Sequence, residues 1–172
     1  TSFYRGTIDK YMGDCAMIVF GVPEEDSEHL FHGLCCAVMI QRLVARLNEY
    51  RAARGQTTVE FRIGMNSGPM LAGNLGSRER MQYTVVGDAV NLASRLSNMA
   101  GAGEIIAAAP LIENPNIGSR VRAAAYGDMR VRGRSEPVGT CRVDGVHALS
   151  ETLMEQRIAQ FLAEQYLESP GA

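Results

Sequence analysis

Two short stretches of this 172-residue chain carry residue types suited to chemistry on a charged substrate. The first is TIDKYMGD, residues 7–14. Gly13 and Asp14 between apolar runs mark a tight hairpin turn. A carboxylate at such a tip is open to a hard cation, and magnesium takes few protein oxygens, completing its shell with water and phosphate. Asp14 suits that role, and it also suits that of an ordinary turn aspartate. Lys10, four residues earlier, offers a compact ammonium to a nucleobase, a phosphate or a neighbouring carboxylate. The second stretch is GDAVNLASR, residues 87–95. Asn91 and Arg95 stand at i and i+4, so on a helix they share one face. Ala89, Ala93 and Ser94 beside them are small. An amide and a guanidinium together make a clamp for a ribose and a charged phosphorane. The same spacing also describes a polar pair on the outside of an amphipathic helix.

Other chemistries find no support. There is no GxxxxGK[ST] phosphate loop, no HExxH and no GxSxG. His29, His32 and His147 are scattered, and surface roles are expected for the first two. The glycines of GNLGS, residues 73–77, read as a turn. Cys15, Cys35, Cys36 and Cys141 form no CxxC pair and read as reduced core residues. Net charge is −2 with no basic block, so nucleic acid is not an expected partner. Apolar content of 46 % fits a soluble globular core, and no apolar run approaches the roughly 18–20 residues of a spanning helix. Lys10 is the single lysine against sixteen arginines, which hints that this position wants a point donor rather than a fork.

The elements that must position these residues follow from periodicity. Residues 5–20 read as a hairpin, with 15–20 as a buried strand. Helical spacing of Leu30, Phe31, Leu34, Cys35, Val38 and Leu47 predicts a long helix over 27–54, capped by Asp26 or Ser27. Alternation predicts a strand over 59–66, returning through Ser67-Gly68-Pro69 as a second strand of a hairpin over 70–75. A short strand at 83–86 leads into a helix from Gly87 to about Met99, with Asp88 as its cap. A strand at 104–108, a short helix at 110–113, strands at 121–126, 128–131 and 139–146, and an amphipathic helix over 149–166 complete the chain. Hairpins interleaved with helices imply one domain, an α/β (α+β) sheet covered by helices.

Taken in order, GTIDKYMGD, DSEHLFHGLCCAVMIQ, FRIGMNSGPMLAGNLGSRERMQYTVVGDAVNLASRL and VRGRSEPV resemble the class III nucleotidyl cyclase catalytic domain over residues 6–143. The resemblance implies a ferredoxin-like βαββαβ sheet covered by helices. It also implies conversion of ATP to 3′,5′-cyclic AMP and pyrophosphate, assisted by two divalent cations per site, Mg2+ or Mn2+. It makes Asp14 a metal aspartate, Lys10 and Thr84 the base-selecting pair, Asn91 the ribose-orienting residue and Arg95 the transition-state arginine. Arg134, with Arg132 as second choice, corresponds to the basic residue of the tail that meets the terminal phosphates. Lysine with threonine suits adenine, whereas members that prefer GTP carry an acid and a small residue there. Threonine at this position is also similar to the subclass associated with bicarbonate response.

Family members pair as antiparallel dimers with sites at the interface, so a homodimer is expected, with Asp14 of one chain facing Lys10, Thr84, Asn91 and Arg95 of its partner. The family's first metal aspartate lies in a D-[IL]-x-G-F-T segment upstream of the GD turn. Only 13 residues precede Asp14 here, so that segment is expected further upstream in the parent protein. The expected division is a catalytic domain over 1–147 and a C-terminal helix and tail over 148–172. The catalytic domain is expected to be cytoplasmic, with an upstream sensor or membrane domain left open. The alternative is an inactive cyclase-homology domain that binds nucleotide or regulates. Such domains usually lose the equivalents of Lys10, Asn91 or Arg95, and all three are kept.

Overall fold

The computed structural model describes residues 1–77, 80–131 and 136–164. A hairpin of β1 (Thr7–Met12) and β2 (Cys15–Val19) opens the chain and leads to α1 (His29–Ala53). Then come β3 (Ile63–Met65), β4 (Leu71–Ser77), β5 (Arg80–Val86) and α2 (Asp88–Met99). The chain ends through β6 (Ile105–Ala108), α3 (Ala109–Ile112), β7 (Val121–Met129), β8 (Val138–Val146) and α4 (Ala148–Leu162). This is the α/β architecture expected from the sequence.

The central sheet runs β3-β6-β8-β7, with β3 parallel to β6 and the other pairs antiparallel. All four residues of β6 are buried, so the strand serves two cores. Its alternation divides them. Ile105 and Ala107 join Phe31, Leu34, Cys35 and Val38 of α1 and Met154, Ile158 and Leu162 of α4. Ile106 and Ala108 join Leu92 and Leu96 of α2 on the other face. The sheet is thus a wall, with α1 and α4 on one side and α2 on the other.

The contact of β3 with α2 is unusually close. A methyl at Gly64 would overlap the Ala93 carbonyl oxygen and the Ser97 amide nitrogen. Only hydrogen fits, so helix backbone lies directly on strand backbone. Two polar contacts fix the register: Asn66 Nδ2 donates to Ala89 O at 3.1 Å, and Ser97 Oγ to Arg62 O at 3.2 Å.

Several expectations need correction. Residues 59–66 do not hairpin with 70–75. β3 lies parallel to buried β6, which needs a neighbour on that side, and β4 pairs with β5 instead. The strand at 59–66 also shortens to Ile63–Met65, because β6 is only four residues long. The stretch before it is held by side chains instead: Asn48 exchanges two hydrogen bonds with Val59, and Gln41 donates to Phe61 O. The two strands expected at 121–126 and 128–131 are one, β7, with a bulge between Ala125 and Gly127 where Gly127 has φ 142°.

α1 is, by length and composition, long and apolar enough to cross a membrane, contrary to expectation. Here one face of it fills the larger core. Asp26 stabilises its entry, accepting from the Glu28 amide at 3.0 Å and bonding His32 Nδ1 at 2.6 Å. The hydrogen bond to His32 holds the Asp26 carboxyl below its ordinary range. His32 therefore anchors the helix start instead of sitting free at the surface. Cys35 and Cys36 are buried as expected, and burial pushes the Cys35 thiol up to about 12, whereas Cys15 is exposed.

Candidate active site

The first hairpin departs from regular pairing at one place. Thr7 and Ile8 pair with Val19 and Ile18, but the next partnered residue is Lys10, opposite Met17. Asp9 is the extra residue of a β-bulge. In a regular strand Asp9 and Lys10 would point to opposite faces. The bulge turns both toward β5.

There they meet Thr84, which is 7 % exposed. Lys10 Nζ donates to Thr84 Oγ1 at 2.7 Å, and Thr84 Oγ1 donates to Asp9 Oδ2 at 2.8 Å. Lys10 Nζ and Asp9 Oδ2 lie 3.2 Å apart, which closes a three-membered ring of polar contacts. The Asp9 side chain is 3 % exposed and that of Lys10 29 %. The ring therefore has a buried floor, Asp9, and a more open lip, Lys10. Asp9 escapes a reading of the sequence because strand alternation points it away from Lys10. The one available signal is an acid inside a strand next to the single lysine.

Thr84 leads through Val85 and Val86 into α2. Contrary to expectation, Asp88 is the first residue of this helix and not its cap. Gly87 precedes it with φ 156°, and its carbonyl accepts from the Val90 and Asn91 amides. That backbone is one that favours glycine, so the turn itself starts the helix. Asp88 lies in the first turn, where its charge suits the helix dipole.

On α2, Ala89, Leu92 and Leu96 are buried and Asn91 and Arg95 are exposed on the opposite face. Neither side chain has a hydrogen-bond partner among the described residues. Asp14 is exposed at the tip of the first hairpin, beside Gly13 with φ 66°. The structure thus joins Lys10 and Thr84 directly and sets Asn91 and Arg95 on one open helix face. It leaves Asp14 apart at a hairpin tip. Arg132 and Arg134 lie outside the described residues.

No group of three or more metal-binding side chains stands together among the described residues. Asp14 offers an exposed carboxylate, which fits an ion of the magnesium kind that takes few protein oxygens and completes its shell with water and phosphate.

Comparison with known proteins matches this arrangement to a family. The family described as adenylate and guanylate cyclase catalytic domain matches residues 7–143. The chain is 30 % identical over 146 residues to Adenylate cyclase 1 of Rhizobium meliloti, covering 83 % of this chain and 22 % of that protein. The chain thus spans about a quarter or less of the length of curated relatives it matches. Its fold superposes on the adenylyl cyclase CyaB from P. aeruginosa with TM-score 0.76 and 33 % identity, over 83 % of this chain and 73 % of that one. It superposes on the guanylyl cyclase Cya2 with TM-score 0.77 and 30 % identity, over 86 % and 74 %. Adenylyl and guanylyl cyclases resemble it about equally, so overall likeness does not select a base. The match across most of its length makes the chain a member of the adenylate and guanylate cyclase catalytic domain family.

Proposed function

We propose that this domain is the catalytic part of an adenylate cyclase, converting ATP to 3′,5′-cyclic AMP and pyrophosphate. The observation that carries the reading is the Lys10–Thr84 hydrogen bond. An ammonium has three donors, and a hydroxyl has one donor and two acceptor sites. After the ring closes, Lys10 keeps a donor and Thr84 keeps an acceptor. Adenine offers an acceptor at N1 and a donor at its amino group, and this pair complements both. Guanine reverses the polarity at both positions.

The remaining roles rest on the same resemblance. Asn91 orients the ribose so that the 3′-oxygen lies in line with the α-phosphorus. As the bond from the 3′-oxygen to the α-phosphorus forms, the 3′-hydroxyl proton passes to water, and the bond from the α-phosphorus to the bridging oxygen breaks, releasing pyrophosphate. Arg95 stabilises the charge that builds on the phosphorane. Arg134 holds the departing phosphates. Divalent cations, Mg2+ or Mn2+, bound through Asp14 supply positive charge against the phosphates. Two copies of the chain form two equivalent sites, Asp14 from one facing Lys10, Thr84, Asn91 and Arg95 from the other. The exposure of Asp14, Asn91 and Arg95 supports that assembly, because each is free of partners among the described residues.

The test is a cyclase assay of the full-length protein with ATP and with GTP, each with Mg2+ or Mn2+. Cyclic AMP from ATP is expected, with GTP the poorer substrate. Cyclic GMP as the main product, or no product from either, would overturn the reading.

A further inference from the structure

We infer that Asp9 is a positioning residue that sets base specificity, by fixing the direction of the Thr84 hydroxyl proton. The inference rests on the adenylate cyclase reading and deepens it. A threonine hydroxyl can donate or accept, so Thr84 alone does not choose between an amino group and a carbonyl on the base. Its neighbours choose. Lys10 Nζ has only donors, and at 2.7 Å it takes one lone pair of Oγ1. A carboxylate has only acceptors, and Asp9 Oδ2 at 2.8 Å takes the proton. The remaining capacity of Oγ1 is a single lone pair. Thr84 is thereby held as an acceptor, which suits the amino group of adenine and repels the carbonyl of guanine.

Two features show that this is built into the fold. The β-bulge at Asp9 is what brings adjacent strand residues to the same hydroxyl. The Asp9 side chain is only 3 % exposed, so water does not compete for its oxygens. The same carboxylate lies 3.2 Å from Lys10 Nζ and restrains the ammonium, leaving one donor for the base. Asp9 touches no substrate in this scheme. It acts through Thr84 and Lys10.

The experiment compares kcat and KM for ATP and GTP in the full-length protein and its variants. Asp9→Ala frees the hydroxyl proton to face the base. The ATP-to-GTP ratio of kcat/KM is then expected to fall about tenfold or more, chiefly through KM for ATP. Asp9→Asn keeps an acceptor oxygen and should retain most of the wild-type ratio. In a Thr84→Val background, which has no hydroxyl to orient, Asp9→Ala should change the ratio little further. Equal loss with both nucleotides at an unchanged ratio would overturn the inference and leave Asp9 a structural residue. Additive effects of Asp9→Ala and Thr84→Val on the ratio would also overturn it. If the alanine variant is unstable, Asp9→Leu has a similar branched shape without an acceptor and carries the same expectation. Wild-type protein that makes no cyclic AMP sinks the functional reading itself. Wild-type activity with an unchanged ratio in the variants sinks only the role of Asp9.

Discussion

Lys10 Nζ donates to Thr84 Oγ1 at 2.7 Å across 74 positions of sequence. The bond joins the first hairpin to β5, the strand that runs into α2. The proposed base contacts, ribose contact and transition-state contact therefore hang on one short path through Val85, Val86 and Gly87.

That path leads to the first prediction. Asn91 and Arg95 face outward from α2, so removing either side chain should leave the fold intact and damage catalysis. Arg95→Ala is expected to lower kcat by about 10²–10³-fold, the usual cost of deleting a transition-state donor, and Asn91→Ala to cause a comparable loss. His32→Ala should have little effect on kcat, since His32 holds Asp26 at the start of α1. A steady-state assay with circular dichroism as the folding control checks all three. Full activity in Arg95→Ala would remove the basis for its role.

Shared sites predict complementation. Asp14 and Arg95 are assigned to opposite halves of each site. Asp14→Asn and Arg95→Ala should each be nearly inactive alone. Mixed dimers should regain one intact site in two, visible as recovered cyclic AMP production on mixing. Failure to recover, with mixed dimers shown to form, would count against the interface.

Gly64 gives a prediction on positioning. An alanine there would meet the backbone of Ala93 and Ser97, so α2 must move away from β3. Overpacking of this sort costs about 1–3 kcal/mol. In a domain of this size that is a fall in Tm of roughly 2–12 °C. Misplacing a catalytic helix by about 1 Å can cost 10²-fold in rate. Gly64→Ala should therefore lose activity beyond its loss of folded protein at the assay temperature. A thermal melt beside the assay separates the two.

The last prediction concerns α4 and pH. Glu151 bonds Arg122 at 2.5 Å and Arg42 at 2.6 Å, tying α4 to β7 and α1. The hydrogen bond from Arg122, then that from Arg42, holds its carboxyl below the ordinary glutamate range. A lowered folded value means that the charged form stabilises the fold. The contribution is complete above the unfolded value of about 4.3 and disappears as pH falls through the lowered folded value. Each such half-exposed pair contributes about 1 kcal/mol or less. Tm of wild type should therefore exceed that of Glu151→Gln by a constant amount from neutral pH to about pH 5, and the gap should close in more acid solution. High salt should narrow it at every pH.

The chain by itself determined the family, the helix α1, the turn at Gly13-Asp14 and the pairing of Asn91 with Arg95 on one face. Each depends on local spacing: a period of 3.6, a turn dipeptide, or an ordered run of motifs. It was less able to say which strands are neighbours. β3 and β4 look like a hairpin because they are adjacent in sequence, yet buried β6 takes β3 as a parallel partner, and that choice comes from the core. Asp88 looked like a cap, but the backbone at Gly87 already starts the helix. Asp9 was illegible for the same kind of reason. Alternation sends it away from Lys10, and only a bulge, fixed by packing against β5, sends it back. Residue type set what Lys10 and Thr84 can donate or accept. The tertiary fold decided which of those groups are already spent on Asp9, because a hydrogen bond depends on three-dimensional proximity that spacing in the chain does not encode.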